Sequence, residues 1–205
     1  MPIASAGRAR PTQADRRAQT KAALLESAAR GLSRYGYGNL VLERVAAEAG
    51  YTRGALYHLF ASKEELALAV VAWVEETWYV EMGPVIARTH DPVGALKAVA
   101  RGHAVYCRRD VARVMMTLRV EFSGQDHPVG RAVEDAGDRV LAHCARLIRA
   151  GRKNGAIPPG PPVKVLALAI VCAIEGLVIN RAGKAPFDEA LAESAVAGLL
   201  GLPGS

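Results

Sequence analysis

The segment 52–58 combines an arginine, two small residues and a tyrosine within two turns of a predicted helix. The guanidinium of Arg53 can donate two parallel hydrogen bonds to the O6 and N7 atoms of a guanine base. Gly54 and Ala55 lack bulk, so another molecule can approach the backbone closely. Tyr57, one turn further along, offers a hydroxyl to a phosphate and a ring to a thymine methyl. These residue types at this spacing predict contacts with the major groove of DNA.

Two helices joined by a short glycine turn must position these side chains. The first is predicted from a stripe of apolar residues that ends at Gly50: Leu42, Val45, Ala46 and Ala49. Thr52 can cap the second helix, which we expect over 53–60 with Leu56 facing the core. A preceding helix, from about residue 16 to residue 36, carries its own apolar stripe: Leu25, Ala28, Leu32 and Tyr35. The combination predicts a helix-turn-helix whose second helix enters the major groove.

Further residues are predicted to contact DNA around this unit. Lys63 lies at the start of a fourth helix, where Ser62 and Glu65 match the S-x-x-E pattern of a capping box. Because helix N-termini bind phosphate, we expect Lys63 to contact the DNA backbone. Four other residues are also expected to contact DNA: Arg16, Arg17, Thr52 and His58. For His58, a solvent-exposed position without such a contact is an equal alternative.

The excess positive charge lies entirely in the first third of the chain. The chain has 205 residues, with 26 Lys and Arg against 20 Asp and Glu. The first 63 residues hold 10 basic and 4 acidic residues, whereas the remaining 142 hold 16 of each. This asymmetry is expected when one small module binds a polyanion and the rest of the chain has another task. A solvated basic face without a partner is the alternative.

The segment 36–70, GYGNLVLERVAAEAGYTRGALYHLFASKEELALAV, resembles the TetR family of bacterial transcription regulators. With residues 16–35, this resemblance covers about a quarter of the chain. The positions in the family's order and spacing are Val45, Ala46, Ala49, Gly50, Thr52, Gly54, Leu56, Tyr57, Phe60, Lys63 and Leu66. The resemblance implies a three-helix DNA-binding domain and a fourth helix leading to a larger helical domain for ligand binding and dimerisation. It also implies repression that a small molecule relieves.

Two positions depart from the family pattern. The family commonly has Ser or Thr before its second helix, where this chain has Leu40 and Val41. The helix therefore lacks a cap unless Asn39 supplies one, and losing such a cap costs about 1 kcal/mol. The family also often has His or Tyr before the Phe of the third helix, where this chain has Leu59. One contact with the DNA backbone is then expected to be missing.

The whole chain is predicted to be all-α, with about nine helices. We expect a flexible basic arm at 1–15, the helix-turn-helix domain at 16–62 and a helical ligand-binding and dimerisation domain at 63–205. The fourth helix is predicted over 62–81, because Gly83 and Pro84 follow it. Later helices are expected over the ranges 91–109, 110–122, 128–154, 163–181 and 187–200.

The C-terminal domain offers aromatic, methionine and histidine residues for a ligand pocket. The predicted pocket residues, for which ordinary core packing is the favoured alternative, are Trp73, Trp78, His103, Tyr106, Cys107, Met115 and Phe122. His103 and Cys107 lie one turn apart and could bind a metal with His127 or His143, but no metal site or cofactor is predicted. Glu175 interrupts an apolar helix and, if buried, needs a partner, for which Arg146 and Arg149 are candidates. It could equally lie at a dimer interface.

The last two helices are too apolar to face water alone. Their residues predicted to pair with a second copy in a four-helix interface are Ala167, Ile170, Val171, Ile174, Val178, Leu191, Ala195 and Leu199. The apolar run 165–179 contains Glu175 and is shorter than a membrane helix requires, so we expect a buried helix and no membrane. Three distant cysteines and no secretory signal indicate the cytoplasm.

No sequence pattern predicts an enzyme. The chain lacks GxSxG, HExxH, a phosphate-binding glycine loop and a recognisable pair of carboxylates. A non-specific DNA-coating protein would share the basic N-terminal third, but it would not need a large neutral helical body. The sequence therefore predicts a homodimeric repressor that binds a palindromic double-stranded operator and responds to a small apolar or amphipathic molecule.

Overall fold

The computed structural model describes residues 12–181 and 184–202, and within these ranges the chain is all-α. The nine α-helices of this part are α1 (Gln13–Tyr35), α2 (Leu42–Glu48), α3 (Arg53–Leu59), α4 (Lys63–Arg88), α5 (Pro92–Tyr106), α6 (Val114–Glu121), α7 (Pro128–Lys153), α8 (Val163–Arg181) and α9 (Phe187–Leu199). A 3₁₀ helix, Asp110–Arg113, precedes α6. The predicted fold class is confirmed.

The first helix begins earlier than its apolar stripe indicated. The Thr12 hydroxyl accepts a hydrogen bond from the Asp15 amide at 3.2 Å, and the Asp15 carboxylate accepts one from the Thr12 amide at 2.9 Å. This capping box satisfies backbone groups at the helix start, so residues 13–15 are helical and do not belong to the predicted arm. Residues 1–11 of that arm lie outside the described residues.

Helix α4 continues through Pro84, so its predicted end near residue 81 is wrong. Pro84 removes one backbone donor, and the affected turn includes Val80, whose side chain is exposed and leaves room for water. The extra two turns pack Met82 and Ile86 into a cluster with Val99 of α5. Burial of these side chains offsets the lost hydrogen bond.

The core is continuous from the helix-turn-helix into the body. One apolar cluster contains buried residues of α1, α2, α3 and α4 together with residues of α6 and α7: Val114, Leu118, Val129 and Val133. A second cluster joins α5, α7, α8 and α9 through side chains that include Leu96, Ile148, Ile170 and Val196. Packing therefore crosses the predicted boundary at residue 62, and the division into domains stays a prediction about roles.

An ion-pair cluster attaches α9 to the end of α5. The buried carboxylate of Asp188 accepts hydrogen bonds from the Arg108 guanidinium at 2.9 and 2.8 Å. Arg108 also donates to Glu189 at 2.6 Å, and Glu189 accepts a second bond from Arg101 at 2.8 Å. The bonds from Arg108 hold the pKa of Asp188 and that of Glu189 below their ordinary values. The start of α9 is thus held by paired charges.

We expect Asp188→Asn to lower the free energy of unfolding at pH 7 by about 1 to 3 kcal/mol, because it removes a charged acceptor from a buried pair. The folded-state pKa of Asp188 lies below its ordinary value of 3.8, so its contribution is complete above that pH and is lost as the pH falls through the folded-state pKa. Urea unfolding from pH 7 to pH 3 should show the gap between wild type and variant shrinking at the acid end. Asp126→Asn, at an exposed pair with Arg131, is the matched control with an expected effect near zero. A gap independent of pH would contradict this assignment.

Candidate functional site

Helices α2 and α3 form the predicted helix-turn-helix. Gly50 takes a positive φ of 78°, and the Tyr51 amide closes the turn on the Ala46 carbonyl at 2.9 Å. The Thr52 hydroxyl accepts a hydrogen bond from the Ala55 amide at 3.2 Å, which confirms the predicted cap of α3. Leu56 is fully buried and attaches α3 to the core, as expected. The opposite side of α3 is therefore left for solvent or a ligand.

The exposed side of α3 carries the arginine that the sequence singled out. Arg53, Gly54, Tyr57 and His58 are exposed, and Ala55 is half-buried. The Arg53 guanidinium lies 2.9 Å from a carboxylate oxygen of Glu43 in α2 and 5.2 Å from the centre of the Tyr57 ring. The sequence analysis missed Glu43, because the distance between α2 and α3 surfaces depends on how the turn folds. These two contacts keep the Arg53 guanidinium on the surface that α2 and α3 form together.

The other predicted DNA contacts surround this helix. Arg16 and Arg17 are exposed in the first turns of α1, and Thr52 is exposed at the start of α3. The Lys63 ammonium donates to the Gly38 carbonyl at 2.9 Å and lies 4.8 Å from the centre of the Tyr37 ring. Lys63 therefore also braces the turn between α1 and α2. Its contact with phosphate, like those of the other residues, stays a prediction.

The two departures from the family pattern have structural consequences. Val41 occupies the position before α2 and makes no side-chain capping bond. Asn39 does not replace the cap, because its amide donates to the Tyr35 carbonyl at 3.2 Å. Leu59 is half-buried and packs against the apolar cluster of α1, α2, α3 and α4. Its apolar side chain therefore offers no hydrogen bond to a phosphate.

The carboxylate of Glu121, the last residue of α6, holds the turn between α1 and α2. It accepts hydrogen bonds from the Tyr37 amide at 2.6 Å and the Gly38 amide at 2.7 Å. The turn begins at Gly36, which has a positive φ of 75°, and a Cβ there would lie 2.6 Å from a Glu121 oxygen. Only glycine allows this close approach. The C-terminal body thus grips the segment that precedes the helix-turn-helix.

Phe122 belongs to this contact and not to the ligand pocket, where the sequence analysis placed it. Its ring stacks on His127 at 4.2 Å between ring centres, and Tyr37 meets both rings edge-on. The reason is its place after the last turn of α6, which directs the side chain toward the α1–α2 turn. Trp73 also lies away from the cavity between α4 and α8. It packs against the apolar cluster that α1, α2, α3 and α4 form with α6 and α7.

A cavity of about 100 Å³ lies between α4, α5, α6, α7 and α8. Five of the predicted pocket residues line it: Trp78, His103, Tyr106, Cys107 and Met115. The wall is mostly apolar, and residues that sequence reasoning did not assign to it include Tyr79, Val99, Cys144 and Val171. The sequence gives no signal that groups these residues, because they come together only through the packing of five helices.

Each charged side chain that lines the cavity has an oppositely charged partner. Glu75 accepts two hydrogen bonds from Arg139, at 2.5 and 2.6 Å. Glu175 pairs with Arg119 of α6, so the expected partners Arg146 and Arg149 are wrong. Arg146 and Arg149 lie on exposed positions of α7, whereas Arg119 lies on the cavity side of α6. The glutamate that interrupts the apolar helix was the sequence signal for a polar group here.

His103 sits between two cavity residues in a short hydrogen-bonded chain. Its Nδ1 accepts a bond from the Trp78 indole N–H at 3.1 Å, and its Nε2 lies 3.4 Å from the Cys107 sulfur. Surrounding protein lowers the pKa of His103 below its ordinary value, although part of the ring is accessible through the cavity. Burial also raises the pKa of Cys107 to about 12, so the sulfur is a neutral thiol.

The two histidines considered as metal partners lie apart from this chain of bonds. His127 stacks on Phe122, and His143 contacts the Arg146 guanidinium at 2.5 Å. Among the described residues, no three His, Cys, Asp or Glu side chains are grouped to hold a metal ion.

Helices α8 and α9 divide their apolar residues between an inner and an outer face. Four residues predicted at a dimer interface are buried within the chain itself, because they fill its core: Ala167, Ile170, Ile174 and Val178. Val171 and Ala195 are half-buried, while Leu191 and Leu199 are exposed. The α8 residues predicted from the sequence to form a dimer interface therefore lie mainly on the inner face of the helix. Its outer face carries exposed apolar residues at helical spacing: Val165, Leu168, Cys172 and Ile179.

Helix α8 is also long and apolar enough, over Val163–Asn180, to cross a membrane by length and composition alone. Its inner face instead packs in the second core cluster against α7 and α9. Buried helices of folded domains pass the same test, so this property by itself carries little weight.

A family model for bacterial regulatory proteins of the tetR family matches residues 24–70, which span the last part of α1 through the first turns of α4. The matched segment contains the helix-turn-helix formed by α2 and α3 and covers less than half of the chain. Among curated proteins, the A-factor receptor protein of Streptomyces griseus is 29% identical over 165 residues, which cover 79% of this chain. Those residues cover 55% of the relative, so the chain spans about half of its length.

Solved structures share the fold over most of the chain. A TetR-family transcriptional regulator from Streptomyces coelicolor matches with a TM-score of 0.75 at 22% identity, covering 89% of this chain and 95% of that one. The transcriptional regulator FadR from Bacillus subtilis, solved in complex with stearoyl-CoA, matches with a TM-score of 0.74 at 16% identity, covering 87% and 97%. The similarity therefore extends well beyond the helix-turn-helix.

Proposed function

We propose that this chain is a TetR-family regulator: a homodimeric, ligand-responsive repressor that binds a palindromic operator in double-stranded DNA. The observation that carries the proposal is the exposed face of α3, where Arg53 and Tyr57 project from a helix held in place by buried Leu56. The first 63 residues, which contain this face, carry the excess positive charge of the chain. A helix presented in this way matches the recognition helix of a helix-turn-helix. We place the protein in the cytoplasm, where such an operator is found.

The ligand in this proposal occupies the cavity between α4 and α8. The wall is largely apolar, which suits an apolar or amphipathic small molecule. FadR of Bacillus subtilis, which shares the fold, was solved with stearoyl-CoA.

Helix α6 provides a physical route from the cavity to the DNA-binding unit. Met115, Met116 and Arg119 on this helix line the cavity, and Glu121 at its end binds the amides of the α1–α2 turn. A ligand that favours a shifted position of α6 therefore favours a shifted turn. Release from DNA requires that the ligand bind the shifted state more tightly, by a few kcal/mol.

The outer face of α8 supports pairing of two copies. Leu168 and Ile179 are exposed on it, and α9 adds exposed Phe187 and Leu191 beside it. Exposed apolar residues grouped on neighbouring helices are typical of a protein interface. A two-fold dimer formed through these helices would match a palindromic operator, whose half-sites lie about 34 to 36 Å apart.

A non-specific DNA-coating protein remains the second candidate. The basic N-terminal helices favour it, but the interior cavity and the paired charges in its wall serve no purpose in such a protein. No arrangement among the described residues supports a catalytic function.

We expect Arg53→Ala to weaken operator binding by about 1 to 3 kcal/mol, because it removes a bidentate base contact. Lys63→Ala should weaken binding to all sequences alike and reduce the slope of log K against log salt by about one. Mobility-shift titrations on the DNA that flanks the gene and on random DNA, at two salt concentrations, measure both effects.

The wild-type protein is the reference for both variants. A preference for the flanking DNA of about a thousandfold, kept at the higher salt, supports an operator. Equal losses on specific and random DNA for both variants would contradict the division of roles. Equal, salt-sensitive binding of the wild type to both DNAs favours the DNA-coating candidate.

Glu121→Gln should loosen the α1–α2 turn, because the neutral side chain offers one acceptor where the carboxylate offers two. We expect faster amide exchange at Tyr37 and Gly38 and weaker operator binding with cavity residues unaffected. Hydrogen exchange with mass spectrometry and a mobility shift measure the two effects. Glu134→Gln, on an exposed position of α7, is the matched control. Faster exchange with unchanged operator binding would show that this turn does not position the helix-turn-helix.

Leu168→Glu should convert the dimer into a monomer, because it places a charge in the middle of the proposed apolar interface. Analytical ultracentrifugation measures the mass directly. Val120→Glu introduces the same charge at an exposed apolar position on α6 and should leave the dimer intact. A variant that remains dimeric would place the interface elsewhere.

A further inference from the structure

We propose that the cavity binds an uncharged molecule with an apolar body and one carbonyl oxygen, which accepts a hydrogen bond from Nε2 of His103. This inference rests on the proposed function, because it names the class of ligand for that cavity. It depends on two features: the hydrogen-bonding state of His103 and the pairing of every charge in the cavity wall.

The Trp78 side chain determines which nitrogen of His103 carries the proton. An indole N–H is a donor only, so the Nδ1 atom that receives it at 3.1 Å must be unprotonated. A neutral imidazole with a free Nδ1 lone pair has its proton on Nε2. The lowered pKa of His103 agrees with this neutral form. His103 therefore presents one N–H donor from Nε2.

The Nε2–H group of His103 faces a weak hydrogen-bond acceptor. The Cys107 sulfur lies 3.4 Å from Nε2, and a neutral thiol is a weak acceptor. His103 and Cys107 both line the cavity, so a ligand carbonyl that approaches Nε2 from the cavity can accept a stronger bond from the same N–H. Tyr106 offers no competing donor, since its hydroxyl already donates to the Val74 carbonyl at 3.0 Å and lies 2.7 Å from the Thr77 hydroxyl.

The charges in the wall disfavour a charged ligand. Glu75 is paired with Arg139, and Glu175 is paired with Arg119. An anion that paired with Arg119 would leave the Glu175 carboxylate without its partner and close to the negative charge of the ligand. A cation would have to displace an arginine from its partner. An uncharged molecule leaves both pairs intact and so avoids the cost of an unpaired charge.

A carbonyl fits better than a hydroxyl for a similar reason. A hydroxyl group brings a proton that needs an acceptor of its own, whereas a carbonyl only accepts. The carboxylates of the wall are already engaged by arginines, and Val99, Met115 and Ile174 are among the apolar lining residues. The cavity of about 100 Å³ is smaller than an engineered cavity of about 150 Å³ that binds benzene, so the enclosed part of the ligand is a short chain or a small ring.

Three probes of matched size test the charge preference: hexan-2-one, hexanoate and hexan-1-amine. Binding to the full-length protein is followed by NMR through the indole N–H of Trp78 and the ring nitrogens of His103. We expect hexan-2-one to bind most tightly and to shift the Nε2 resonance, with Nδ1 remaining an acceptor. Tighter binding of hexanoate or hexan-1-amine, or failure of hexan-2-one to bind, would overturn the proposal.

Three variants test the role of His103. His103→Leu should weaken hexan-2-one binding about three- to tenfold, the value of one hydrogen bond, and leave the binding of toluene unchanged. His103→Gln keeps an acceptor for Trp78 and a donor for the ligand, so it should restore part of the affinity. Tyr79→Phe removes the aromatic hydroxyl that lines the cavity besides that of Tyr106, and it should have no effect on binding. Equal losses of toluene and hexan-2-one in His103→Leu would mean that the substitution damages the cavity, and a loss confined to Tyr79→Phe would assign the donor to Tyr79. Either result would overturn the proposal.

The mobility shift separates this inference from the proposed function. Specific operator binding by a wild-type protein that does not bind hexan-2-one would overturn the ligand class alone. Binding of hexan-2-one through His103 by a protein with no preference for an operator would overturn the proposed repressor and leave the ligand class standing.

Discussion

The Glu121 carboxylate holds the α1–α2 turn through two hydrogen bonds, and this contact governs how the helix-turn-helix is presented. The turn leads directly into α2, so its position sets the direction in which α3 points. Gly36 makes the bonds possible, because a side chain there would collide with the carboxylate. A charged acceptor shared by two amides is stronger than a neutral one, and it adds to the apolar core contacts that join the helix-turn-helix to the C-terminal body.

The few polar groups of the cavity wall form ion pairs and hydrogen bonds with neighbouring protein groups. Two ion pairs balance the charges of its wall, and Trp78 fixes the proton of His103 on Nε2. One N–H, facing a thiol, is left with a weak acceptor. Because Met115 and Arg119 line the cavity from α6, whose last residue is Glu121, the cavity and the turn share one short helix.

Local patterns predicted the helix-turn-helix well. Thr52 and Ser62 cap the helices that they were expected to cap, Leu56 is buried, and Gly50 takes the positive φ that a helix C-terminus favours. These features involve residues a few positions apart, so periodicity and capping rules apply. The errors concern long-range contacts. Phe122 faces the α1–α2 turn, Glu175 pairs with Arg119, and the apolar face of α8 assigned to a dimer lies inside the protomer.

The all-α class, the place of the helix-turn-helix and the concentration of positive charge in the first third of the chain can be read from the sequence. Each follows from residue type and local spacing, which act within a few turns of one helix. Three features depend instead on the folded structure: which residues share the cavity, which partner each buried charge takes and which side of α8 faces outward. An almost wholly apolar helix has no sequence signal that separates its two faces, and an ion pair between helices depends on packing that spans many residues.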